Sequence, residues 1–461
     1  MSGILIAGGT VVTASGSRSA DVLIAGGRID AVEPDLAPRV EGVRVIDATG
    51  LLVLPGVVDA HTHTRLPSED EPDRFFQDSV AAAFGGTTTF LAFDNPGTGA
   101  SQADRPLADA VADWRARSQG QSAIDYGLSL VLTAKRAARL EELPAVVDAG
   151  VPTVKAFMVY DFGVDQATLR RALLLMRRAG GMLQLHCEDR ATLERRTADL
   201  LAGGHTAPRY HAESRPAAVE AAGTELAMRL VRSTDWPLYV VHLSCRDALE
   251  RVRSARADGD VVFVETCPHY LTLDETRYEA PAEEAVRYVI SPPLRAPGER
   301  DALWAGLADG SLDLVATDHV PDRLAVEKAN WGEPFDRISN GAPGIETLLA
   351  LVYSEGVAGG RIDLGRLVDL LATTPARLFG LPHKGAVEPG RDADVVLFDP
   401  AARRTIRQAD LHHTSDYTPY EGFEVAGAVR SVFVRGRAVI EDGRFVGARG
   451  WGRFVERRLS K

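Results

Sequence analysis

The sequence predicts an α/β protein in which a (β/α)8 TIM barrel carries a small β-sandwich domain built from both chain termini. Two observations support this fold class. In the middle of the chain, short apolar runs alternate with amphipathic helical patterns, which is typical of parallel strands covered by helices. Near both ends, β-rich runs follow one another between glycine turns, without such helices. We expect a composite sandwich domain of residues 1–55 plus 385–461 and a barrel domain of residues 56–384.

Length and composition indicate a globular protein with a large core. The chain has 461 residues, of which 45% are hydrophobic, and this length suits a large barrel plus a smaller module. A net charge of −12 argues against nucleic acid or an anionic membrane surface as a partner. No apolar run reaches the roughly 20 residues of a membrane helix, the N-terminus lacks a signal-peptide pattern, and three scattered cysteines do not make a disulfide framework. We expect a cytoplasmic protein that acts on a small molecule.

The strands of the predicted sandwich form one group at each end of the chain. The N-terminal runs are Ile4–Val12, Asp21–Ala25, Arg28–Val32 and Val43–Ile46, and the C-terminal runs are Ala393–Phe398, Ala428–Val434 and Ala438–Ile440. Unpaired strand edges are a liability in a soluble domain, and pairing the two groups would cover them. The sequence therefore predicts one small module that both ends share.

Eight apolar runs are predicted as the barrel strands. They are Val53–His63, Thr87–Asp94, Asp125–Leu132, Thr153–Tyr160, Met182–Glu188, Pro237–Ser244, Val261–Pro268 and Leu312–Asp318. Helical patterns lie between and after them, among them Leu107–Arg117, Ala167–Ala179, Ala217–Arg232 and Leu364–Leu378. Eight such strands suit a closed barrel better than an open sheet, and the loops after the strands then form the active face.

Polar residues at the carboxyl ends of these strands predict a metal site. The first strand ends at His61 and His63, which point to the same side because residues two apart on a strand share a face. His186, His242 and Asp318 end three further strands. In a barrel these ends meet at one mouth, and four imidazoles with one carboxylate are the ligands of zinc or a similar divalent ion.

Lys155 lies inside the fourth predicted strand, where an unpaired ammonium is strongly disfavoured. One interpretation is an ion pair with a neighbouring carboxylate. The other is carbamylation by carbon dioxide, which turns the lysine nitrogen into part of an anionic carboxylate that bridges two metal ions. The position of Lys155 among four histidines at a barrel mouth favours the second interpretation.

The remaining histidines and two of the cysteines are predicted to have structural places. His205, His211, His383, His412 and His413 are expected at the surface, His269 and His319 near the mouth as groups that orient ligands, and Cys187 and Cys245 as small buried residues.

At these residues the sequence resembles the cyclic amidohydrolases of the amidohydrolase superfamily, and among them the hydantoinase/dihydropyrimidinase family. The likeness extends over nearly the whole chain. Its motifs are Asp59-Ala60-His61-Thr62-His63, Gly85-Gly86-Thr87-Thr88, Lys155-Ala156-Phe157-Met158-Val159-Tyr160, Val241-His242-Leu243-Ser244, Glu265-Thr266-Cys267-Pro268, Ser291-Pro292-Pro293-Leu294-Arg295 and Asp416-Tyr417-Thr418-Pro419-Tyr420-Glu421-Gly422.

The resemblance implies a dinuclear centre of two divalent ions, zinc with manganese or cobalt as alternatives, bridged by N6-carboxylated Lys155. The implied ligands are His61, His63 and Asp318 for one ion, His186 and His242 for the other, and Lys155 for both. All six positions are filled, which favours an enzyme. The resemblance also implies a homotetramer, with Leu411–Val425 as a contact segment.

The resemblance further implies roles in catalysis. Tyr160 would hydrogen-bond the substrate carbonyl oxygen as it becomes an oxyanion, and Ser291 and Asn340 would hold the cyclic imide or ureide through their backbone. Asp318 would take a proton from the attacking water and deliver it to the leaving ring nitrogen. The expected reaction is hydrolysis of a ring amide bond in a hydantoin- or dihydropyrimidine-like cyclic ureide, which gives an N-carbamoyl amino acid.

Two residues leave a second substrate class open. Arg65 and Asn95 stand where dihydroorotases hold a substrate carboxylate, a group that a guanidinium binds bidentately. The other interpretation of Arg65 is an ion pair with the acidic loop Glu69–Glu71. The alternatives are therefore a dihydroorotase- or allantoinase-like ring hydrolase for a carboxylated or ureido substrate and, from another class, a metal-free scaffold protein. The complete ligand set disfavours the scaffold.

Overall fold

The computed structural model describes residues 3–94 and 105–460, with the backbone alone at Pro38. Strands from the N-terminal end are β1 (Ile4–Ala7), β2 (Thr10–Thr13), β3 (Gly16–Ser19), β4 (Asp21–Ala25), β5 (Arg28–Glu33), β6 (Arg44–Asp47) and β7 (Leu52–Pro55). Those of the barrel are β8 (Val57–Thr62), β9 (Thr87–Phe93), β10 (Asp125–Leu132), β11 (Thr153–Phe157), β12 (Met182–His186), β13 (Leu238–Val240), β14 (Val262–Thr266) and β15 (Leu314–Val315). The last group is β16 (Val395–Thr405), β17 (Glu424–Val434), β18 (Arg437–Glu441) and β19 (Arg444–Phe445).

Both ends of the chain contribute to one sandwich. A four-stranded sheet has the order β5-β4-β1-β6, and a seven-stranded sheet has the order β19-β18-β17-β16-β7-β2-β3. The two ends meet where β7 pairs antiparallel with β16, with Val53 opposite Leu397. Val22, Val53 and Phe433 are fully buried in one cluster between the sheets, and burying each such side chain stabilises the fold by roughly 1.5–3 kcal/mol. The composite β-sandwich predicted from the sequence is confirmed.

The barrel is a sheet of eight parallel strands in the order β15 to β8. Every residue of β8, β9 and β10 is buried, as expected for strands covered by side chains on one face and by helices on the other. A parallel bridge between Thr62 and His319 joins the two ends of the sheet. The predicted (β/α)8 barrel is therefore confirmed.

The first predicted strand is divided in the structure. The run Val53–His63 was expected as one strand, but its first part belongs to β7 in the sandwich and its second part to β8 in the barrel. Gly56 lies between them, and a Cβ atom there would lie 2.0 Å from Thr88 Oγ1. A glycine is needed because the chain passes β9 at this close distance. The domain limits 1–55 plus 385–461 and 56–384 stay a prediction. The passage of the chain from sandwich to barrel at Gly56 agrees with the predicted limit between residues 55 and 56.

The helices cover the barrel. Those of eight or more residues are Arg74–Phe84, Leu107–Ser118, Gln166–Ala179, Arg190–Ala202, Ala217–Thr234, Arg246–Ala257 and Pro297–Asp309. Shorter α-helices are Leu143–Asp148, Arg209–Ser214, Pro268–Thr272, Ala282–Ala285, Leu348–Val352, Leu364–Val368 and Thr374–Leu378. In the helix that begins at Gln166, the Asp165 side chain accepts a hydrogen bond from the Thr168 amide at 2.8 Å, and Gly180 ends the helix at φ 73°.

The predicted helix Leu364–Leu378 is interrupted by a π-helical turn over Asp369–Thr373. Pro375 follows the turn and has no N–H group, so a widened turn is the local way to keep the chain helical there. Within the described residues, no helix is long and apolar enough to cross a bilayer.

Candidate active site

Three predicted ligands converge where β8 and β15 end. Asp318 Oδ1 lies 2.9 Å from His61 Nε2 and 3.2 Å from His63 Nε2. One ligand atom of each residue lies within 4.8 Å of the others. Burial alone would raise the pKa of Asp318, but the adjacent histidines hold it well below its usual range. Two imidazoles and an ionised carboxylate at this spacing fit one divalent cation.

The second predicted pair lies on the neighbouring strands. His186 ends β12, and its Nδ1 atom lies 3.0 Å from His242 Nε2. The strand that was expected to carry His242, Pro237–Ser244, is shorter than predicted and ends at Val240. His242 follows it at φ 39°, an uncommon conformation for a residue other than glycine. The imidazole therefore reaches the mouth from a turn, and the strand only positions that turn.

Lys155 lies in β11 beside these ligands. Its Nζ atom is 3.4 Å from His61 Nε2 and 5.0 Å from the ring centroids of Phe93 and Phe157. The side chain is completely buried, and this burial lowers the pKa of the ammonium to about 8. Among the described residues no carboxylate forms an ion pair with it, so the ion-pair interpretation finds no partner there. A neutral amine is the form that reacts with carbon dioxide.

Two buried carboxylates fix the ring orientation of the histidines. Glu265 contacts His61 Nδ1 and accepts a hydrogen bond from the Tyr239 hydroxyl at 2.5 Å. Glu188 Oε2 accepts a hydrogen bond from His186 Nε2 at 2.6 Å. Each bond occupies one ring nitrogen and directs the other, His61 Nε2 or His186 Nδ1, towards the mouth. This carboxylate–imidazole arrangement is typical of metal ligands.

The sequence reasoning gave neither Glu188 nor Glu265 a role. Both lie near the carboxyl end of a predicted strand, within two residues of a ligand or inside a quoted motif. That position was an available signal, but which histidine each carboxylate contacts depends on the register of neighbouring strands.

The donor set fits a divalent metal centre. Burial lowers the pKa of His63, His186 and His242, which keeps these imidazoles in the neutral, metal-binding form. His242 Nδ1 is buried without a hydrogen-bond partner in the described part of the chain. Imidazole nitrogens and a carboxylate oxygen are the ligand types that zinc, manganese and cobalt share in proteins. With Lys155 these residues can hold one or two such ions.

Tyr160 follows β11 and faces the same mouth. It was predicted at the end of a strand, but it lies in a turn at φ 69°. Its ring stacks with that of Phe162 at 5.1 Å, and the Arg215 guanidinium lies 5.3 Å from its centroid. Burial raises the pKa of the phenol, so Tyr160 remains a protonated hydrogen-bond donor.

Ser291 and Asn340 lie together beside Tyr160. The Ser291 hydroxyl donates to Asn340 Oδ1 at 2.7 Å, and Asn340 Nδ2 donates to the Ile338 carbonyl at 3.0 Å. Within the described residues no backbone hydrogen bond occupies the N–H or carbonyl group of Ser291 or Asn340, so these groups remain to bind a ligand. This geometry agrees with the role that the resemblance implies.

The expectation that His211 and His413 lie at the surface is wrong. His211 is 2% exposed, donates from Nε2 to the Ile290 carbonyl at 2.8 Å and lies 3.3 Å from Ser291 Oγ. His413 is 5% exposed. Burial lowers the pKa to about 3 for His211 and to about 4 for His413, so both are neutral. Nothing in the local sequence signals this burial, because the covering groups come from distant segments.

A cavity of about 480 Å³ opens beside Tyr160 and Asn340. Its walls include the apolar side chains of Leu193, Leu201 and Phe335. The cavity is large enough for a small organic group, and polar residues, among them Asp161, Glu194 and Arg215, line it together with these apolar side chains.

Arg65 is already paired with carboxylates of the protein. Its guanidinium contacts Asp322 and Glu327. The pairing that the sequence suggested, with the loop Glu69–Glu71, is therefore wrong in its partners, because residues after β15 approach Arg65 instead. Because two carboxylates already neutralise the Arg65 guanidinium and occupy its N–H groups, fewer donors remain for a substrate carboxylate. Asn95 lies outside the described residues.

A second group of acidic side chains, Asp125, Asp392 and Asp394, has the spacing of metal ligands, but the ammonium group of Lys384 lies between them. Lys384 Nζ lies 2.6 Å from Asp125, 3.1 Å from Asp392 and 2.7 Å from Asp394. These residues connect β10 of the barrel with the segment before β16. The lysine ammonium supplies one positive charge to the three carboxylates, and Arg435, which contacts Asp125, supplies another.

Comparison with known proteins identifies the family. Residues 52–439 match the amidohydrolase family. The chain is 40% identical to the D-hydantoinase of Geobacillus stearothermophilus over 460 residues, 98% of this chain and 96% of that protein. It is 39% identical to the D-hydantoinase of Ralstonia pickettii over 463 residues, 99% of both. The crystal structure of dihydropyrimidinase from Brevibacillus agri superposes with a TM-score of 0.94 at 41% identity and covers 100% of both chains.

A more distant structure has the same fold. The L-hydantoinase (dihydropyrimidinase) from Arthrobacter aurescens superposes with a TM-score of 0.89 at 28% identity, covering 99% of this chain and 100% of that one. The chain belongs to the amidohydrolase family. Within that family it is a cyclic amidohydrolase of the hydantoinase/dihydropyrimidinase type, as the resemblance implied.

Proposed function

We propose that this protein hydrolyses the ring amide bond of a hydantoin- or dihydropyrimidine-like cyclic ureide and releases an N-carbamoyl amino acid. The observation that carries the proposal is the convergence of six donor residues at the barrel mouth, beside the cavity that Tyr160 lines. Relatives named as hydantoinases at about 40% identity over the whole chain support the same reaction.

The metal centre in this proposal holds two divalent ions, taken to be zinc. His61, His63 and Asp318 would hold one ion, His186 and His242 the other, and N6-carboxylated Lys155 both. When bound, such ions supply Lewis acidity, which makes water acidic near neutral pH and polarises a carbonyl oxygen. The burial of Lys155 without a carboxylate partner in the described residues supports its carboxylation.

Asp318 is the proposed proton carrier. Its Oδ1 atom lies against His61 and His63, while no hydrogen bond occupies Oδ2 within the described residues. Oδ2 can therefore accept a proton from the attacking water. The same atom then donates this proton to the ring nitrogen as the amide bond breaks, so this nitrogen departs as the neutral NH2 of the carbamoyl group.

Tyr160 is the proposed oxyanion donor. Its protonated phenol lies at the cavity wall and can donate to the carbonyl oxygen of the substrate as negative charge develops there. The backbone of Ser291 and Asn340 would hold the ureide ring on the opposite side. The cavity walls formed by Leu193, Leu201 and Phe335 would accept a ring substituent.

The expected alternatives receive less support. The pairing of Arg65 with Asp322 and Glu327 removes the reason to prefer a carboxylated substrate. A metal-free scaffold would have no use for buried imidazoles held by Glu188 and Glu265. Homotetramer formation, with Leu411–Val425 as a contact segment, and a cytoplasmic location stay predictions. Sedimentation of the purified protein tests the first of these.

Ring-opening assays test the proposed function. The purified protein is incubated with hydantoin, dihydrouracil, dihydroorotate and allantoin, with metal content measured on the same sample. We expect turnover of the first two compounds, loss of turnover after chelation, and recovery when zinc, manganese or cobalt is added. Turnover confined to dihydroorotate or allantoin would replace this proposal with the dihydroorotase- or allantoinase-like alternative. A protein that contains no stoichiometric metal and opens none of the four rings would support the metal-free scaffold.

A further inference from the structure

One buried guanidinium joins two parts of the proposed active site. Arg215 directly follows the helix Arg209–Ser214, is 7% exposed and lines the cavity beside Tyr160. Arg215 lies in a connection and far from every sequence motif, so no local pattern indicates a role for it. Its contacts nevertheless place it between a residue that orients a metal ligand and the proposed oxyanion donor.

Glu188 holds the guanidinium on one side. Its Oε2 atom contacts Arg215 Nη1 and also accepts the hydrogen bond from His186 Nε2 at 2.6 Å. Glu188 is completely buried, and a buried carboxylate requires a counter-charge and hydrogen bonds. Because one oxygen atom serves both contacts, the position of Arg215 is tied to that of the His186 ring.

Tyr160 lies on the other side. The Arg215 Cζ atom is 5.3 Å from the Tyr160 ring centroid, within the range of a cation–π contact. Tyr160 has φ 69°, in the left-handed region that residues other than glycine seldom adopt. Such a conformation persists only where neighbouring groups hold it. Arg215, Phe162 and His186 contact the ring from outside β11, with 5.6 Å between the His186 and Tyr160 ring centroids.

We propose that Arg215 is a positioning residue: held by Glu188, it fixes the Tyr160 ring so that the phenol donates to the substrate carbonyl oxygen as that oxygen becomes negative. This inference rests on the proposed function. Arg215 acts through Tyr160 and not by binding the ring of the substrate. Its removal therefore affects the chemical step much more than substrate binding.

A double-mutant cycle tests the inference. Arg215→Met is expected to lower kcat about 10–100-fold while KM changes less than about 3-fold, because a correctly aimed oxyanion donor is lost. Arg215→Lys keeps a positive charge and should restore part of kcat. In the Tyr160→Phe background, Arg215→Met should cause little further loss, since the group through which it acts is already absent.

Two measurements separate this role from a structural one. Metal content per chain should be the same in the Arg215 variants and the parent protein. Arg136 supplies the matched control: it is also a buried arginine, 2% exposed, and pairs with Asp94 at 2.6 Å, without a contact to Tyr160. Any effect of Arg136→Lys on kcat should be the same with and without Tyr160→Phe.

Each outcome bears on the inference. The inference would be overturned if the losses of kcat from Arg215→Met and Tyr160→Phe multiplied independently. Loss of metal from the Arg215 variants would also overturn it, because Arg215 would then act through His186. If Arg215→Met does not fold, as judged by circular dichroism, the cycle with Arg215→Lys carries the same test. Absence of ring opening by the parent protein would overturn the proposed function and this inference together, whereas turnover with independent losses would overturn the inference alone.

Discussion

The Nδ1 atom of His186 lies 3.0 Å from the Nε2 atom of His242, although the two residues are 56 positions apart in the sequence. Parallel pairing of β12 with β13, with Leu185 opposite Val240, brings the two strand ends together. Since Glu188 accepts the other N–H of His186, the nitrogen that faces His242 carries a lone pair. This relationship supports a metal ligand role for both rings.

Glu265→Gln should weaken metal binding. Glu265 contacts His61 Nδ1 as a carboxylate, and replacing such a partner of a metal-bound imidazole typically costs about 10–100-fold in affinity. Competition with a chromogenic zinc chelator measures this. Glu220→Gln is the control, because Glu220 is also buried but pairs with Arg295 and Ser244. Equal zinc affinities in the Glu265 variant and the parent protein would contradict the prediction.

Lys155 should carry a carbamate when metal is present. Protein equilibrated with zinc and ¹³C-bicarbonate should give a carbamate carbon signal by NMR, and this signal should disappear in Lys155→Arg. Carbamylation needs a neutral, sheltered amine, and burial lowers the pKa of Lys155 to about 8.

Lys328 is the matched control for this measurement. It is equally buried and burial also lowers its pKa to about 8, but its Nζ donates to the carbonyls of Val289 and Ser339 at 3.1 and 2.7 Å. The signal should therefore persist in Lys328→Arg. Persistence of the signal in Lys155→Arg, or its absence from the parent protein, would refute the bridging role of Lys155.

Arg65→Ala should not change the choice between neutral and carboxylated substrates. Its guanidinium is occupied by Asp322 and Glu327. Its removal takes a cation from both carboxylates, of which Glu327 keeps its pair with Arg323, and therefore affects stability more than recognition. We expect the ratio of kcat/KM for dihydrouracil and dihydroorotate to stay within about 3-fold of the parent value, well under the effect of losing a bidentate pair. A selective collapse with dihydroorotate would restore the carboxylate-binding role of Arg65.

Ala198→Phe should discriminate between substituted and unsubstituted rings. Ala198 is exposed and lines the cavity of about 480 Å³, so a larger side chain removes space there without disturbing the core. We expect kcat/KM for a 5-benzyl hydantoin to fall about 10-fold or more, from steric exclusion, with hydantoin itself little affected. Ala191→Phe, on the same helix but outside the cavity lining, should change neither. Equal effects of Ala198→Phe on both substrates would mean that the substituent lies elsewhere.

Lys384→Met should destabilise the fold. Its ammonium lies 2.6 Å from Asp125 and 2.7 Å from Asp394, in a place where all three side chains are buried. Removing one partner of a buried ion-paired group costs about 3–5 kcal/mol. The urea midpoint measures the loss, and Lys135→Met, at an exposed lysine, should stay within about 0.5 kcal/mol of the parent protein. Equal midpoints for the two variants would contradict a structural role of Lys384.

Some features of this fold have a local sequence pattern and others do not. The strand Asp125–Leu132 has the predicted limits, since a buried run has a local pattern. The run Val53–His63 is divided at Gly56, because an apolar run does not record which of two domains buries it. Tyr160 and His242 were predicted inside strands but lie in turns after them. The reason is similar, because the apolar pattern of each predicted strand continues beyond its last strand hydrogen bond.

By itself the sequence determined the fold class and the family and predicted the six donor residues, because periodicity, spacing and motifs are local properties of the chain. The tertiary structure alone decided which carboxylate orients which histidine, where Arg65 finds its partners, and that His211 and Arg215 are buried beside the cavity. These contacts join segments that lie tens to hundreds of positions apart. Their pairing depends on strand register and helix docking, which no single segment encodes.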